Sequence, residues 1–395
     1  LKKQLTKKEK DEYIFILSLI TYSLGNKESV SLPQDVDFKS ILKIAEENYI
    51  TNILSYALSK AGIALPEDIK NAFIYRQKYM LMKDAHQFAS TKKFVQALEN
   101  AGVDNLVVKG EFIKNTYPQP DYRVTADVDI HIKEKDFSLI KEVAKSLDFK
   151  IGIENENLLI VYQEPFSDFE VHRDNGEFKD TVFDDLFKYA VLSKNTNHTY
   201  KLKLDDHFIY VIEHYAKHYR DVSGMGIRMV LDVYCLYNCY KDKLNFKYIN
   251  KCFKKSGIYE FYKMLIKKGE KYFVQGEPDF DIVDIFILTN GIMGTEEIYA
   301  YNGKRNFQNN YGGGNSNNYI LRRIFPPAKR MAEEYPVIKK NKLLLPALWI
   351  HRCGKILFGS NRKQYFDNVQ LYKKYGDDKE LSYFLEVMRA SGFDI

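Results

Sequence analysis

Apolar side chains recur three and four residues apart from about residue 12 to residue 100, as in Ile14, Phe15, Leu17 and Ile20, then Ile41, Leu42, Ile44 and Ala45, then Phe88, Phe94 and Leu98. That spacing is the stripe of a helix buried on one side, so residues 1–100 are predicted to form an N-terminal helical region. Ser31-Leu32-Pro33 and Leu65-Pro66 punctuate it. The pattern changes at Gly102. Asn105 to Lys109 is a short apolar run ending in Lys109-Gly110, and a turn region with Pro118 and Pro120 follows. From residue 124 to 132 the positions alternate, with Val124, Ala126, Val128, Ile130 and Ile132 on one face and Thr125, Asp127, Asp129 and His131 on the other. This is the pattern of a half-buried strand with a polar face.

Asp136 is placed to cap a helix running to about Leu147, and strand-like runs follow at 149–153, 158–163 and 168–173. Strands mixed with helices over residues 101–204 predict a compact domain, α/β or α+β. Beyond residue 205 helical spacing returns at 206–219, 227–240, 246–255, 259–271 and 282–290, giving a C-terminal helical domain of residues 205–395. Residues 302–318 read as a polar loop around Gly312-Gly313-Gly314. The triple glycine lacks the preceding strand and following Lys-Ser/Thr of a phosphate loop. Pro326-Pro327, Pro336 and Pro346 then separate the last helices, which hold Trp349, Phe358 and Phe384.

With 395 residues the chain exceeds the usual reach of one core. Its 45% hydrophobic content is that of an ordinary globular protein. An aromatic share of 14% supplies core filling and material for a base- or sugar-binding cleft. A net charge of +6 is too mild for a dedicated nucleic-acid binder, so no long nucleic acid is expected as partner. Cys235, Cys239, Cys252 and Cys353 form no CxxC pair and no zinc-like spacing, and read as reduced thiols. The apolar stretch 13–22 is too short to span a bilayer and carries no cleavable signal pattern, which predicts a soluble, cytoplasmic protein. The chain begins with Leu1 rather than Met, which leaves a removed leader open.

Asp127 and Asp129 lie two apart on the expected strand and present two carboxylates to one side, about 6 to 7 Å apart at their origins. Two such anions call for a counter-charge, and oxygen donors at this spacing suit Mg²⁺ or Mn²⁺ better than zinc. Glu170, in the run Asp168-Phe-Glu-Val-His-Arg173, is the candidate third carboxylate of a two-metal site. Lys109, Gly110 and Arg123 are the candidates for binding phosphate oxygens. His214 and His218 share a helix face without the Glu of a zinc-protease motif, which favours a structural or substrate-facing role over metal ligation. His218, Arg228 and Asp232 are candidates for bridging the helical region to the sheet. His172 is placed on the opposite strand face from Glu170, pointing away from the metals.

The string Val107-Val-Lys-Gly110, then Tyr117-Pro118, then Arg123-x-x-x-Asp127-x-Asp129-Ile130, resembles the signature of the uncharacterised nucleotidyltransferase family of bacteria, a branch of the polymerase-β-like superfamily. Glu170-Val171-His172-Arg173, His214-x-x-x-His218, Arg228-x-x-x-Asp232, Phe325-Pro326 through Tyr335-Pro336, and Leu345-Pro346-Ala-Leu-Trp349 resemble its later segments, so the likeness covers about residues 100–360. The resemblance implies an α+β fold: a polymerase-β-like palm, a mixed sheet with flanking helices, set between N-terminal and C-terminal helical regions. It also implies paired aspartates and a third acid that hold Mg²⁺ and an NTP. The usual Gly-Ser phosphate turn is not evident, and Lys109-Gly110-Glu111 stands in its neighbourhood.

The expected activity is transfer of a nucleoside monophosphate from an NTP such as ATP to an acceptor (small molecule, protein or RNA), with pyrophosphate release. Two alternatives stay open: a nucleotide-binding or regulatory protein that catalyses nothing on the same palm, and a metal-dependent nucleotide-sugar glycosyltransferase.

Overall fold

The computed structural model describes all residues except 3, 126, 156, 175–181, 223, 312–320, 323, 359–361 and 376–377. Four helices open the chain: α1 (Lys7–Ser23), α2 (Phe38–Glu47), α3 (Thr51–Lys60) and α4 (Glu67–Asn100). Thr6 and Glu9 start α1 with a reciprocal capping box, which satisfies amides that have no partner inside the helix. Then come β1 (Asn105–Val108), the short α5 (Gly110–Lys114), β2 (Val128–Ile132), α6 (Ile140–Ser146), β3 (Lys150–Glu154), β4 (Leu158–Gln163), β5 (Ser167–Arg173), β6 (Ala190–Leu192) and β7 (Thr199–Leu202). Helices α7 (Leu204–Lys217), α8 (Ile227–Tyr240), α9 (Phe246–Lys255), α10 (Tyr259–Glu270), α11 (Ile282–Thr289) and α12 (Glu296–Tyr311) follow, and further helices complete the chain.

The seven strands form one mixed sheet in the order β3-β4-β5-β2-β1-β7-β6. Strand β2 lies antiparallel to β1 and parallel to β5, while β1 runs parallel to β7. The protein is thus α+β, with a mixed sheet flanked by helical regions. One face of the sheet packs Val128, Ile130, Ile132, Phe169 and Val171 against Phe94 and Leu98 of α4 and the apolar side of α6. A second, larger core runs through α1 to α3, Leu106 and Val108 of β1, and α7 to α11. The N-terminal and C-terminal helices therefore bury their stripes in common.

Strand β2 starts later than the alternation predicts. Val108 pairs with Asp129, and at Lys109 the chain leaves β1 for α5, so the pairing with β1 begins at Asp129. Nor is β2 half-solvated: all five of its residues are buried, because α7 covers the polar face. Tyr210 of α7 meets His131 there, with 2.9 Å between the hydroxyl and Nε2. Strands β6 and β7 are too short to leave an alternation. Residues 302–311, expected in a polar loop, continue α12, while Gly312-Gly313-Gly314 lies outside the described residues. The helix expected from Asp136 begins as a 3-10 turn, Glu134–Leu139, before α6. All four cysteines are free thiols. Among the described residues no helix is long and apolar enough to cross a membrane.

Candidate active site

The register of the central strands places the acids. Asp129 stands opposite Glu170 of β5, and His131 opposite His172, so all four side chains share the face that α7 covers. This corrects the expectation for His172: residues 170 and 172 are one strand period apart and point the same way. The His172 Nε2 hydrogen-bonds Asp129 Oδ1 at 3.2 Å and lies 3.5 Å from Glu170 Oε2. Ligand atoms of Asp129, Glu170 and His172 all fall within 4.8 Å of one another, a donor set able to hold a divalent ion. Asp127, the residue before β2, lines the same cavity. Burial, and after it the charge of Asp129, pushes the Asp127 carboxyl above the usual carboxylate range. Burial acts on Asp129 in the same direction, but Lys109 and the His172 hydrogen bond outweigh it and hold Asp129 well below that range.

Lys109 owes its position to the turn between β1 and α5. Its backbone sits at φ 61°, ψ −99°, a region that side-chain-bearing residues rarely occupy and that costs on the order of 1–3 kcal/mol. His207 of α7 compensates by accepting the Lys109 amide at Nε2, 3.1 Å away, and the imidazole stacks on Phe112 with 3.7 Å between ring centres. The Lys109 ammonium then reaches both Asp129 Oδ2 and His214 Nε2 at 2.8 Å. Burial drives His207 down to about 3 and His214 well below the usual imidazole value, so both rings stay neutral and accept these protons. His218 lies against His214 with the rings tilted by 41° and faces the cavity, lowered to about 4 by burial and by Lys109.

A second carboxylate, Asp232 of α8, is 1% exposed and takes four hydrogen bonds. Tyr117 Oη and Arg123 Nε donate to Oδ1 at 2.6 and 2.7 Å, while Tyr215 Oη and Arg123 Nη2 donate to Oδ2 at 2.6 and 3.1 Å. Arg123 is thus brought to Asp232, with Nη1 on the Gly110 carbonyl at 3.3 Å, rather than to the paired aspartates. Asp232 thus ties α8 to the segment before β2 through Arg123, a residue outside the expected bridging set of His218, Arg228 and Asp232.

Arg228, one turn before Asp232 on α8, is 5% exposed, and its Nε and Nη1 have no hydrogen-bond partner. Its position is fixed from the N-terminal region: the Ile227 amide donates to Asn48 Oδ1 at 2.7 Å, and the Tyr49 ring lies 5.6 Å from the guanidinium. Gly226 permits this approach, since a Cβ there would collide with Asn48 Oδ1 and lie 2.8 Å from the Asn290 carbonyl. Sequence reasoning noticed Arg228 only as a bridging candidate. Its signal, the i, i+4 spacing to Asp232, does not reveal that Asp232 is already filled.

These groups line one cavity of about 340 Å³, from Lys109, Asp127, Asp129 and Glu170 across to His218 and Arg228, with Met229, Ile292 and Met293 as its apolar wall. Two larger hollows, of about 610 and 670 Å³, lie over α10 and α12. In the first, charged side chains pair with one another, Lys263 with Glu260 and Lys268 with Asp281. The smaller cavity is the one that gathers Asp127, Asp129 and Glu170 with Lys109 and Arg228.

A mixed sheet whose acid-bearing strand lies beside a second acid-bearing strand, with helices closing over both, is a nucleotidyltransferase palm. A family model described as "Uncharacterised nucleotidyltransferase" matches residues 34–271, and the chain belongs to that family. The match takes in α2 to α4, the whole sheet and α7 to α10. No curated protein and no solved structure matches the chain.

Proposed function

We propose that the protein transfers a nucleoside monophosphate from an NTP to an acceptor hydroxyl or other nucleophile. A bond forms between the acceptor and the α-phosphorus, the bond from that phosphorus to the β-phosphate oxygen breaks, and pyrophosphate leaves. The supporting observation is the convergence of Asp127, Asp129 and Glu170 in one cavity beside a single buried lysine, Lys109. Three carboxylates so placed, with a raised Asp127, are short of positive charge.

Asp127, Asp129 and Glu170 would hold Mg²⁺ or Mn²⁺, which supplies charge to the phosphoryl oxygens that become more negative as the reaction proceeds. His172 orients Asp129 through its hydrogen bond and stands within reach as a further donor. Glu170, more accessible than Asp129 on the neighbouring strand, is placed to take the acceptor proton. Lys109 and Gly110 border the phosphates. In this reading residues 101–204 are the palm, residues 1–100 and 205–395 are its helical walls, and the cytosol, where NTPs are, is the working compartment.

The test is pyrophosphate release from each NTP across a panel of small-molecule, protein and RNA acceptors, together with Mn²⁺ binding followed by electron paramagnetic resonance. Release that needs both metal and acceptor, and disappears in Asp129→Asn, supports the transferase. Nucleotide binding without release in any arm indicates a palm that only binds, and hydrolysis of nucleotide sugars instead of NTPs indicates the glycosyltransferase.

A further inference from the structure

The surroundings of Asp232 are unbalanced. Two buried guanidiniums, Arg123 and Arg228, lie against one carboxylate, whose lone pairs are already taken by Tyr117, Tyr215 and both forks of Arg123. A carboxylate offers about four acceptor positions, and here none is left for Arg228. Its Nε stands 3.9 Å from Asp232 Oδ2, close enough for attraction but too far for a hydrogen bond. A guanidinium 5% exposed, with Nε and Nη1 unmatched, carries a desolvation cost that the longer-range attraction of Asp232 and the Tyr49 ring offsets only in part. Proteins keep such a group where a ligand completes it.

We infer that Arg228 binds the triphosphate of the NTP, as the cation that receives the leaving pyrophosphate. The inference rests on the nucleotidyltransferase reading and deepens it. A guanidinium with open donors asks for an oxyanion, and the two sources in such a reaction are the polyphosphate and an anionic acceptor. The polyphosphate is favoured by the distribution of charge around the cavity. Lys109 is committed to Asp129 and Arg123 to Asp232, so of these three cations Arg228 is the one with buried donors left open. The group is also held in place: Asn48 holds the α8 amide next to it, and the guanidinium carbon lies over the Tyr49 ring, 5.6 Å from its centre. A pre-aimed guanidinium recognises phosphate by a two-pronged hydrogen bond that lysine cannot reproduce.

The experiment uses the full chain and inorganic tripolyphosphate with Mg²⁺, which avoids the unknown base preference, and follows binding by isothermal titration calorimetry. Arg228→Gln is expected to weaken tripolyphosphate binding at least tenfold, and Arg228→Lys to restore only part of it. Thermal melting of the free proteins gives a readout that a purely structural arginine would not move in this direction. Arg228→Met removes an incompletely compensated buried charge and is expected to melt at or above the wild-type temperature while losing tripolyphosphate binding. Unchanged tripolyphosphate affinity in Arg228→Gln overturns the inference and transfers the guanidinium to an anionic acceptor. So does a wild-type protein that does not bind tripolyphosphate, or an Arg228→Met protein that melts lower and binds normally. Mn²⁺ binding lost in Asp129→Asn but kept in Arg228→Gln separates the two ideas: with tripolyphosphate affinity intact in the latter, the inference falls and the transferase reading stands.

Discussion

The carboxylate of Asp232 and the three carboxylates that line the cavity, Asp127, Asp129 and Glu170, are built on opposite terms. Asp232 is saturated, with two tyrosine hydroxyls and one arginine fork filling its acceptor positions. Asp127, Asp129 and Glu170 share one lysine and one histidine hydrogen bond, and at Asp127 burial and like charge raise the carboxyl. Residue types alone do not separate the two, since each combines Asp with a basic partner. What separates them is satisfaction: a filled carboxylate holds the architecture together, while an underfilled set, like the underfilled Arg228, is available to a ligand.

The largest effect expected from this contrast is on turnover. Asp129→Ala should lower NTP-dependent pyrophosphate release by about a thousandfold, comparable to losing a principal electrostatic element of a catalytic site. Circular dichroism should meanwhile show a folded protein; an active Asp129→Ala would end the comparison. At Asp232 the loss should fall on stability. Asp232→Ala strands two buried guanidiniums and is expected to cost about 3–5 kcal/mol in denaturant unfolding. A wild-type midpoint would mean that this carboxylate is not structural.

Tyr215→Phe sharpens the picture, because it vacates one acceptor position on Oδ2, the oxygen nearest Arg228 Nε. Its stability cost should stay near 1 kcal/mol, since Arg228 can take the position. Affinity for Mg²⁺-tripolyphosphate should drop with it, as the guanidinium is no longer open. The smallest effect concerns pH. Asp127 is raised in the folded state, so the fold binds its proton more tightly than the unfolded chain does, and stability is lost as pH rises through the carboxylate range. Asp129, held low, behaves oppositely, its contribution being lost as pH falls. Melting of Asp127→Asn against wild type from pH 3 to pH 7 should therefore show a difference in favour of the variant that grows with pH.

The alternation from Val128 to Ile132, which carries Asp129, was legible because strand geometry is local: a period of two fixes which side chains share a face, whereas Asp127 lies before the strand and reaches the cavity from outside it. The same rule, applied consistently, places His172 beside Glu170. Helices α8 and α9 matched their apolar spacing residue for residue because packing of one face dictates their length. Other features depend on contacts between distant parts of the chain. Arg123 carries a phosphate-binder's chemistry in the sequence, and only the approach of α8 shows that Asp232 occupies it. The meaning of Arg228 is more remote still, because it depends on how many other donors Asp232 has accepted. Strands β6 and β7, of three and four residues, are held by pairing with neighbours rather than by a pattern of their own.

Helix α4 has 34 residues and spans about 50 Å. Its first turns anchor Ile69 and Phe73 among the outer helices, and its last turns anchor Phe94 and Leu98 beneath the sheet. Between these anchors Gln87 holds the Asp168 carbonyl and Ser90 holds Gln163, so the rod is pinned at the strands that carry and flank Glu170. One rod thereby ties the outer helices to the strand pair that bears Glu170, whose place opposite Asp129 is set within the sheet.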